Sequence, residues 1–504
     1  MVFWAKDAGT PSQRFDLAKQ STPELIAFMR RMPKGADLHN HVSGASYSEL
    51  ILARAENIKE NNKGLNYDVY ANAFTDMPPN KKNIISIQEL KNNPAFLAQF
   101  LNAASMRGWF PNTTNGHDHF FAAFGCFSSG KGKPEEIIPE IWARSRYENL
   151  QYLELMVQCV PDDVSKKADD KLKDFDMDKL EEMFEKIAPL TKDQAIEESI
   201  RQYLNEREKK ILEETDLDYA ITGNDGDLVI RYIVQVKRNG TPKDFFKEAV
   251  LSIWAVNIDN RIVGLNVVAP EDDPASQKNF DDQMKILDFL WNKMGKPKFT
   301  LHAGELAIRE SPVEAMKNRI RDTIEKGHAL RIGHGVSIGW EMNVAGLLKK
   351  MREQGILVEI CLSSNEGILD VKDKDHPFLF YRRAGVPVSI NTDDEGVNRS
   401  NLTMEFVKAI QRYDLNYDDV KELIRNSLEY SFLPGNSLFE NRDYNRIIPE
   451  FKEVRSQEWK AGPTAEALRK ANPKMNRQVI LERALVEFEK SLLNGFEEQY
   501  EAPF

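Results

Sequence analysis

The sequence predicts an α/β fold of the (β/α)8 TIM-barrel type, with an N-terminal helical extension, a long insertion after the first strand and C-terminal helices. Three observations favour this fold. Eight short apolar or alternating runs recur along the 504 residues. From the second run onward, each is followed by enough chain for a helix before the next begins. Four of the eight histidines and one aspartate pair fall at the ends of these runs, where parallel barrels carry their functional residues.

The chain before the barrel is predicted to be helical, and residues 1–34 are assigned to an N-terminal extension. An amphipathic helix is predicted over 11–32, because Ser21-Thr22-Pro23-Glu24 is a helix-start pattern. A further helical segment is predicted from about residue 47 to 59. Residues 61–146 have an irregular pattern with breakers such as Pro78-Pro79, and we interpret them as an insertion into the barrel.

Residues 35–435 are assigned to the barrel. The eight predicted strands are 35–42, 150–158, 228–238, 261–271, 298–302, 329–336, 356–363 and 386–393. The charged span 162–214 is interpreted as solvated helix faces, and a helix is predicted over 282–294. Helices are predicted again from residue 402, and residues 436–504 are expected to form a helical tail packed on the barrel.

The composition limits the classes of partner that the chain is expected to bind. A net charge of −11 and a pI near 5.5 argue against a general nucleic-acid binder and favour a small soluble molecule. No run approaches the ~18 apolar residues of a membrane span, so no membrane partner is expected. Three cysteines cannot form a disulfide framework. The first ten residues lack a signal-peptide pattern, which predicts a soluble chain; the sequence leaves the compartment unknown and a homodimer open.

A metal site is predicted where the ends of three strands meet. His39 and His41 are two residues apart on the first strand, so their imidazoles point to the same side. His302 ends the fifth strand and Asp393 the eighth. Three imidazoles and one carboxylate can hold one zinc ion per chain, and the pKa of a water bound there falls from ~15.7 toward ~7.

Three more residues at the strand ends are candidates for the chemistry. Glu305 lies three residues beyond His302, where a carboxylic acid could protonate a ring nitrogen of the substrate. His334 ends the sixth strand and is placed to orient the attacking water and stabilise developing charge. Asp394 follows Asp393 and would face elsewhere on an extended backbone, so we expect it to accept a hydrogen bond from the substrate.

Ordinary structural roles are the alternative for each of these residues taken singly. Glu305 could cap the following helix, and Asp393-Asp394 could form a turn. A second His-x-His pair lies in the insertion, and packing or a lid role is favoured over a second metal site. The remaining histidines are therefore assigned packing, lid, helix-end or loop roles: His117, His119, His328 and His376.

A set of motifs, in their order along the chain, resembles the adenosine deaminase family of the metal-dependent hydrolase superfamily. The motifs are Met32-Pro33-Lys34-Gly35, His39-Asn40-His41, His302-Ala303-Gly304-Glu305, Gly333-His334-Gly335, Ser363-Ser364-Asn365 and Asn391-Thr392-Asp393-Asp394. The resemblance spans roughly residues 30–435. The first motif and the insertion are more similar to the adenosine deaminase-related growth factor branch and its bacterial relatives than to the compact enzyme.

The resemblance implies zinc-dependent hydrolytic deamination of adenosine or 2′-deoxyadenosine, releasing ammonia. It also implies zinc on the four predicted ligands, with Asp393 serving catalysis as well. Glu305 would protonate N1, His334 would assist the water, and Asp394 would contact N7. A growth-factor relative would be periplasmic or secreted if a signal has been removed, and otherwise cytoplasmic.

Two departures from the family pattern concern the substrate. Ser43 stands where the compact enzyme has an aspartate that contacts the sugar, and a hydroxyl makes a weaker contact. Ala269, followed by Pro270, stands where the family has a glycine whose amide meets N3. The alternatives are therefore a deaminase of adenine or a modified adenosine, and a secreted adenosine-binding protein of growth-factor type. A hydrolase of amides or esters is a third alternative.

Overall fold

The computed structural model describes residues 9–60, 63–80, 82–110, 115–215 and 228–494. Within them, eight parallel strands form a nearly closed barrel: β1 (Ala36–His41), β2 (Tyr152–Val157), β3 (Val229–Lys237), β4 (Ile262–Val268), β5 (Phe299–Ala303), β6 (Ala329–His334), β7 (Leu357–Ile360) and β8 (Val388–Ile390). Neighbours along the chain are neighbours in the sheet, so the predicted (β/α)8 barrel is confirmed. The outer ends of the predicted terminal segments, 1–8 and 495–504, lie outside the described residues.

Helices pack around the strands. Those before and within the insertion are Pro11–Ala18, Thr22–Arg31, Ser48–Ala55, Ile87–Asn92, Pro94–Ala103, Gly116–Phe127 and Pro134–Tyr147. Those between β2 and β8 are Asp162–Lys171, Leu180–Ile187, Gln194–Thr215, Pro242–Ile258, Pro274–Lys278, Phe280–Lys293, Val313–Met316, Arg319–Glu325, Val344–Gln354, Leu362–Leu369 and Phe378–Arg383. After β8 come Glu395–Asn398, Leu402–Tyr413, Tyr417–Glu429, Pro463–Ala471 and Pro473–Asn494. Among the described residues, every helix is too short or too polar to cross a lipid bilayer.

The last two strands are shorter than predicted. β7 stops at Ile360, because a helix begins at Leu362 and covers the predicted Ser363 end. β8 starts after Pro387, which has no N–H for the ladder, and stops before Asp393, whose φ of 60° is incompatible with an extended strand. Asp393 therefore lies on a turn beyond β8 rather than in it.

The ring closes between β8 and β1 at the mouth. A single parallel bridge joins Asn40 to Asp393. The His41 amide donates to the Asp393 carbonyl at 3.1 Å, and the Asp393 amide donates to the His39 carbonyl at 2.8 Å. The seam is thus made by the same segments that carry three of the predicted metal ligands.

A buried ion network lies inside the barrel beneath the mouth. The Arg331 guanidinium on β6 lies 2.6 Å from Glu154 on β2 and 2.6 Å from Glu359 on β7. All three side chains are buried. The Phe432 ring covers the guanidinium at 3.9 Å, and the Phe432 amide donates to Glu154 at 2.6 Å. Because each charge has an opposite partner, the network can persist away from water.

The insertion is ordered rather than irregular, which corrects the prediction for 61–146. It holds four of the helices above and an antiparallel sheet of three short strands, Asn66–Asp68, Ala73–Thr75 and Ile84–Ser86. Strands of three residues are too short for an alternating pattern to be recognised. Its apolar core includes Phe120 and Phe127 and continues into Ile368 and Val397, which follow β7 and β8. The insertion therefore lies on the mouth side of the barrel.

The segments at the two ends of the chain also differ from the predictions in detail. The predicted helix 11–32 is two helices, which separate where Ser21 takes an extended conformation before Thr22-Pro23. The predicted helical tail has turns and short 3-10 segments over 431–462 before its last two helices. The final helix is joined to the barrel side by an ion pair between Arg425 and Glu482 at 2.7 Å.

Candidate active site

Four side chains from three places in the chain meet at the barrel mouth. His39 and His41 end β1, His302 is on β5, and Asp393 follows β8. Their nitrogen and oxygen donor atoms all lie within 4.8 Å of one another, and all four residues are buried. The alternation on β1 turns both imidazoles inward, as predicted for a His-x-His pair on a strand.

The spacing of these donors fits a tetrahedral ion. His302 Nε2 lies 3.1 Å from His39 Nε2 and 3.3 Å from His41 Nε2. Asp393 Oδ1 lies 3.4 Å from His39 Nε2 and 3.3 Å from His41 Nε2. Zinc bonds of about 2.0–2.1 Å in a tetrahedron place their donors about 3.3–3.4 Å apart. These four distances are compatible with a tetrahedral metal site of this size.

Each ligand imidazole is oriented by a polar partner on its other nitrogen. His39 Nδ1 lies 2.7 Å from Glu359, and His302 Nδ1 lies 2.9 Å from Asn266. His41 Nδ1 lies 2.8 Å from Gln235. Such partners hold the rings so that Nε2 faces the metal.

Glu305 is placed by the loop after β4. The Gly304 and Glu305 amides donate to the two carboxylate oxygens of Glu271 at 3.1 and 2.8 Å. Arg238 and Arg319 lie 3.6 and 3.4 Å from the same carboxylate. No helix follows Glu305 at once, since Val313–Met316 is the next one, so a capping role is not supported.

Three buried polar atoms at the mouth have no hydrogen-bond partner among the described residues. They are Glu305 Oε1, His334 Nε2 and Asp394 Oδ1. Glu305, His334 and Asp393 also place donor atoms within 4.8 Å of one another, so the unpaired groups adjoin the four-donor cluster. A buried polar atom without a partner is costly, and three at one cluster fit a site that receives a polar ligand.

The surroundings of the ionisable groups at the mouth shift their pKa values away from the ordinary ones. Burial, then the charges of Asp393 and Glu271, raises the pKa of Glu305 well above its ordinary value. Burial and Asp393 do the same to the pKa of Asp394. Burial lowers the pKa of His334 to about 3. Although burial opposes a charge at His39, hydrogen bonds to Asp393 and Glu359 raise its pKa to about 10, so the cluster favours a positive charge.

Three residues on this rim have left-handed backbones. Asp393 has φ 60°, His334 has φ 68° and Ala269 has φ 87°. Such conformations are unfavourable for residues with a Cβ and cluster at functional sites. At Ala269 the angle suits glycine, the residue that the family pattern has there.

The two predicted sugar- and base-contacting residues lie on the rim but outside the cluster. Ser43 is in the 3-10 turn Val42–Gly44 after β1, and Ala269 follows β4. Gly44 lets Asp394 approach, since a Cβ at Gly44 would lie 1.9 Å from Asp394 Oδ1. Within the described part of the chain, neither Ser43 nor Ala269 has a side-chain hydrogen bond to the cluster.

Four site residues were not predicted from the sequence. Glu359, Asn266 and Gln235 each interrupt an apolar strand, and Asn365 lies in the helix after β7. A single polar residue within an apolar run is the signal that could have identified the first three, because such a side chain must find a buried partner. Asn365 lies 3.0 Å from His334 Nδ1 and belongs to the motif Ser363-Ser364-Asn365, which contributes to the family resemblance.

Part of the chain is similar in sequence to known proteins. A sequence model of the adenosine deaminase family matches residues 214–442. The adenosine deaminase of Enterococcus faecalis is 37% identical over 145 residues, which cover 29% of this chain and 39% of that protein. An adenosine deaminase of Clostridium perfringens is 32% identical over 171 residues, covering 34% and 48%. The chain thus aligns with less than half the length of these relatives. The Arabidopsis N6-mAMP deaminase structure has a TM-score of 0.48, 18% identity and coverage of 81% and 96%.

Proposed function

We propose that this chain is a member of the adenosine deaminase family, whose sequence model matches residues 214–442, and that it hydrolyses adenosine or 2′-deoxyadenosine to the inosine product and ammonia. The observation that carries the proposal is the set of unpaired polar atoms on Glu305, His334 and Asp394 beside the four-donor cluster. On a bound purine, N1 would be the partner of Glu305 and N7 the partner of Asp394. An attacking water would be the partner of His334.

His39, His41, His302 and Asp393 would hold one zinc ion. When bound, zinc supplies Lewis acidity and lowers the pKa of a water from ~15.7 toward ~7. The donor spacing of 3.1–3.4 Å supports this assignment. Asp393 would also accept a hydrogen bond from the attacking water.

Glu305 is assigned as the proton donor. Its raised pKa favours the protonated form, and a protonated Glu305 can give a proton to N1 as the water oxygen adds to C6. The C6–N bond then breaks and ammonia leaves. The balance is complete, since one water proton replaces the Glu305 proton spent on N1, the other leaves with ammonia, and the water oxygen becomes the C6 carbonyl.

Asp394 and the rim residues are assigned to substrate binding. N7 has only a lone pair, so Asp394 must carry a proton to form a hydrogen bond with it. The raised pKa of this carboxyl supports a donor rather than the acceptor that the sequence predicts. Ser43 would contact the sugar. The Ala269 amide would face N3.

Two lysines favour a second candidate, an aminopurine 5′-nucleotide. Lys237 ends β3 two residues after Gln235, so its side chain leaves the strand on the side that reaches His41. Lys131 of the insertion is half-buried, and burial and repulsion from Lys237 lower its pKa. A negative group on the substrate would relieve this repulsion at the mouth.

An ultraviolet scan tests both candidates. Adenosine, 2′-deoxyadenosine, adenine and AMP are supplied separately, and the adenine-to-hypoxanthine change is followed. Adenosine is expected to turn over fastest. AMP turnover more than about tenfold faster, lost in Lys131→Ala, would select the nucleotide. No turnover of any aminopurine would reject the deaminase and leave the binding-protein alternative.

Glu305→Gln is the control variant for the chemistry. It is expected to abolish turnover while the zinc content stays as in the wild-type protein, because Glu305 is not among the four ligands. Full activity in this variant would remove the proton-donor assignment.

A further inference from the structure

We propose that Asn365 and His376 are positioning residues that hold His334 in the tautomer with its proton on Nε2. His334 would then donate a hydrogen bond at the reacting water rather than take its proton. The functional meaning rests on the proposed deamination, whereas the tautomer itself follows from a chain of hydrogen bonds behind His334.

This series of hydrogen bonds begins at a backbone N–H, which can only donate. The Phe378 backbone N–H donates to His376 Nδ1 at 3.2 Å, so this nitrogen carries no proton. His376 is buried, and burial followed by the charge of Arg412 lowers its pKa to about 3, which keeps the ring neutral. A neutral imidazole without a proton on Nδ1 has one on Nε2. His376 Nε2 therefore donates to Asn365 Oδ1 at 3.1 Å.

This contact fixes the orientation of the Asn365 amide. With Oδ1 facing His376, the Nδ2 group faces His334 and donates to its Nδ1 at 3.0 Å. Glu305 Oε1 is 3.5 Å from the same Nδ1 but makes no hydrogen bond within the described residues, so it does not compete. Neutral His334 consequently carries its proton on Nε2.

The His334 Nε2–H is buried and has no partner among the residues described, and the centroid of the His334 ring lies 4.9 Å from those of the His39 and His302 rings. A donor at this position can orient the water and stabilise negative charge on its oxygen. It cannot accept the water proton while Asn365 occupies Nδ1. Glu305 is then the remaining acceptor for that proton. The same carboxyl would therefore give a proton to N1 and take one from the water.

The helix and the loop that follow β7 hold Asn365 and His376 in place. Asn365 lies in the helix Leu362–Leu369, and His376 precedes Pro377 and the helix Phe378–Arg383. Asn365 is fully buried and His376 is 4% exposed. A rotamer change in either side chain would leave a buried polar group unpaired.

The tautomer is read by nitrogen-15 histidine spectroscopy on the full chain loaded with zinc, with the His334 signals identified from their loss in His334→Gln. We expect a protonated Nε2 and a proton-free Nδ1 in the wild-type protein. Asn365→Asp offers only acceptors, so it should move the proton to Nδ1. We expect kcat to fall about 100-fold, while KM and zinc content change less than about twofold.

Two matched pairs separate positioning from general damage. His376→Gln keeps an amide donor toward Asn365 and should retain the tautomer and most of kcat, whereas His376→Phe should lose both. Ser364→Ala changes a buried neighbour of Asn365 and should leave activity unchanged. If Asn365→Asp fails to fold, the His376 pair decides. A proton on Nδ1 in the wild-type spectrum, or equal kcat in the two His376 variants, overturns the proposal, and the spectrum decides even if the chain proves not to deaminate adenosine.

Discussion

Glu359→Gln is expected to weaken zinc binding through His39. Glu359 accepts from three buried donors: His39 Nδ1 at 2.7 Å, Thr300 Oγ1 at 2.7 Å and Arg331 Nε at 2.6 Å. The last two share one oxygen, and His39 uses the other. A glutamine has a single acceptor oxygen, so keeping Thr300 and Arg331 satisfied turns its NH2 group toward the His39 N–H. His39 then loses its acceptor.

The magnitude follows from this lost contact. Removing the partner that orients a metal-bound histidine costs about 10–100-fold in metal affinity, which is about 1.4–2.7 kcal/mol. The same change takes one of two carboxylates from the buried Arg331. Breaking a buried ion pair costs about 3–5 kcal/mol of folding free energy, so Glu359→Gln should also lower the unfolding temperature.

Glu154→Gln is the matched control. Glu154 pairs with the same guanidinium at 2.6 Å but does not contact a metal ligand. Zinc affinity is measured by competition with a chromophoric chelator, and stability by thermal unfolding of both variants. We expect similar losses of stability, with weaker zinc binding in Glu359→Gln alone. Unchanged zinc affinity in Glu359→Gln, or an equal loss in Glu154→Gln, would refute the orienting role.

Two further predictions concern the ligand set and the insertion. Metal analysis should find one zinc per chain, lost in His39→Ala; active wild-type protein without metal would contradict this. A hydrogen bond to Asp272 raises the pKa of His117 from its ordinary 6.5 to about 9. This contact therefore stabilises the insertion below pH 6.5 and is lost as pH rises through 9. Hydrogen exchange of the helix Gly116–Phe127, corrected for intrinsic rates, should speed up between pH 7 and 10, and this dependence should vanish in His117→Phe.

The sequence predicted site residues best where both the residue type and its position on a strand pointed to a metal ligand. The two inward imidazoles of β1, and His302 on β5, could be assigned because alternation fixes their direction. Asp393 could be named, but its turn could not, because a left-handed backbone at a residue with a Cβ is imposed by closure of the barrel rather than by local preference.

The partners behind the ligands needed coordinates. Glu359 and Arg331 are far apart in the chain and become neighbours only when β6 and β7 pair. His376 looked like a loop residue, because nothing local indicates that Asn365 and His334 stand in line with it. The strands inside the insertion were not predicted for another reason: they have three residues each, below the length at which periodicity separates strand from loop.

The seam between β8 and β1 makes metal loading a matter of folding as well as chemistry. Residues His39, His41 and Asp393 share backbone hydrogen bonds at a place where the ring is joined by a single bridge. A cation bound by their side chains would hold the join between β8 and β1 closed. Loss of the cation would weaken the contact between β8 and β1, so release of the ion and opening of the barrel at this join would be coupled.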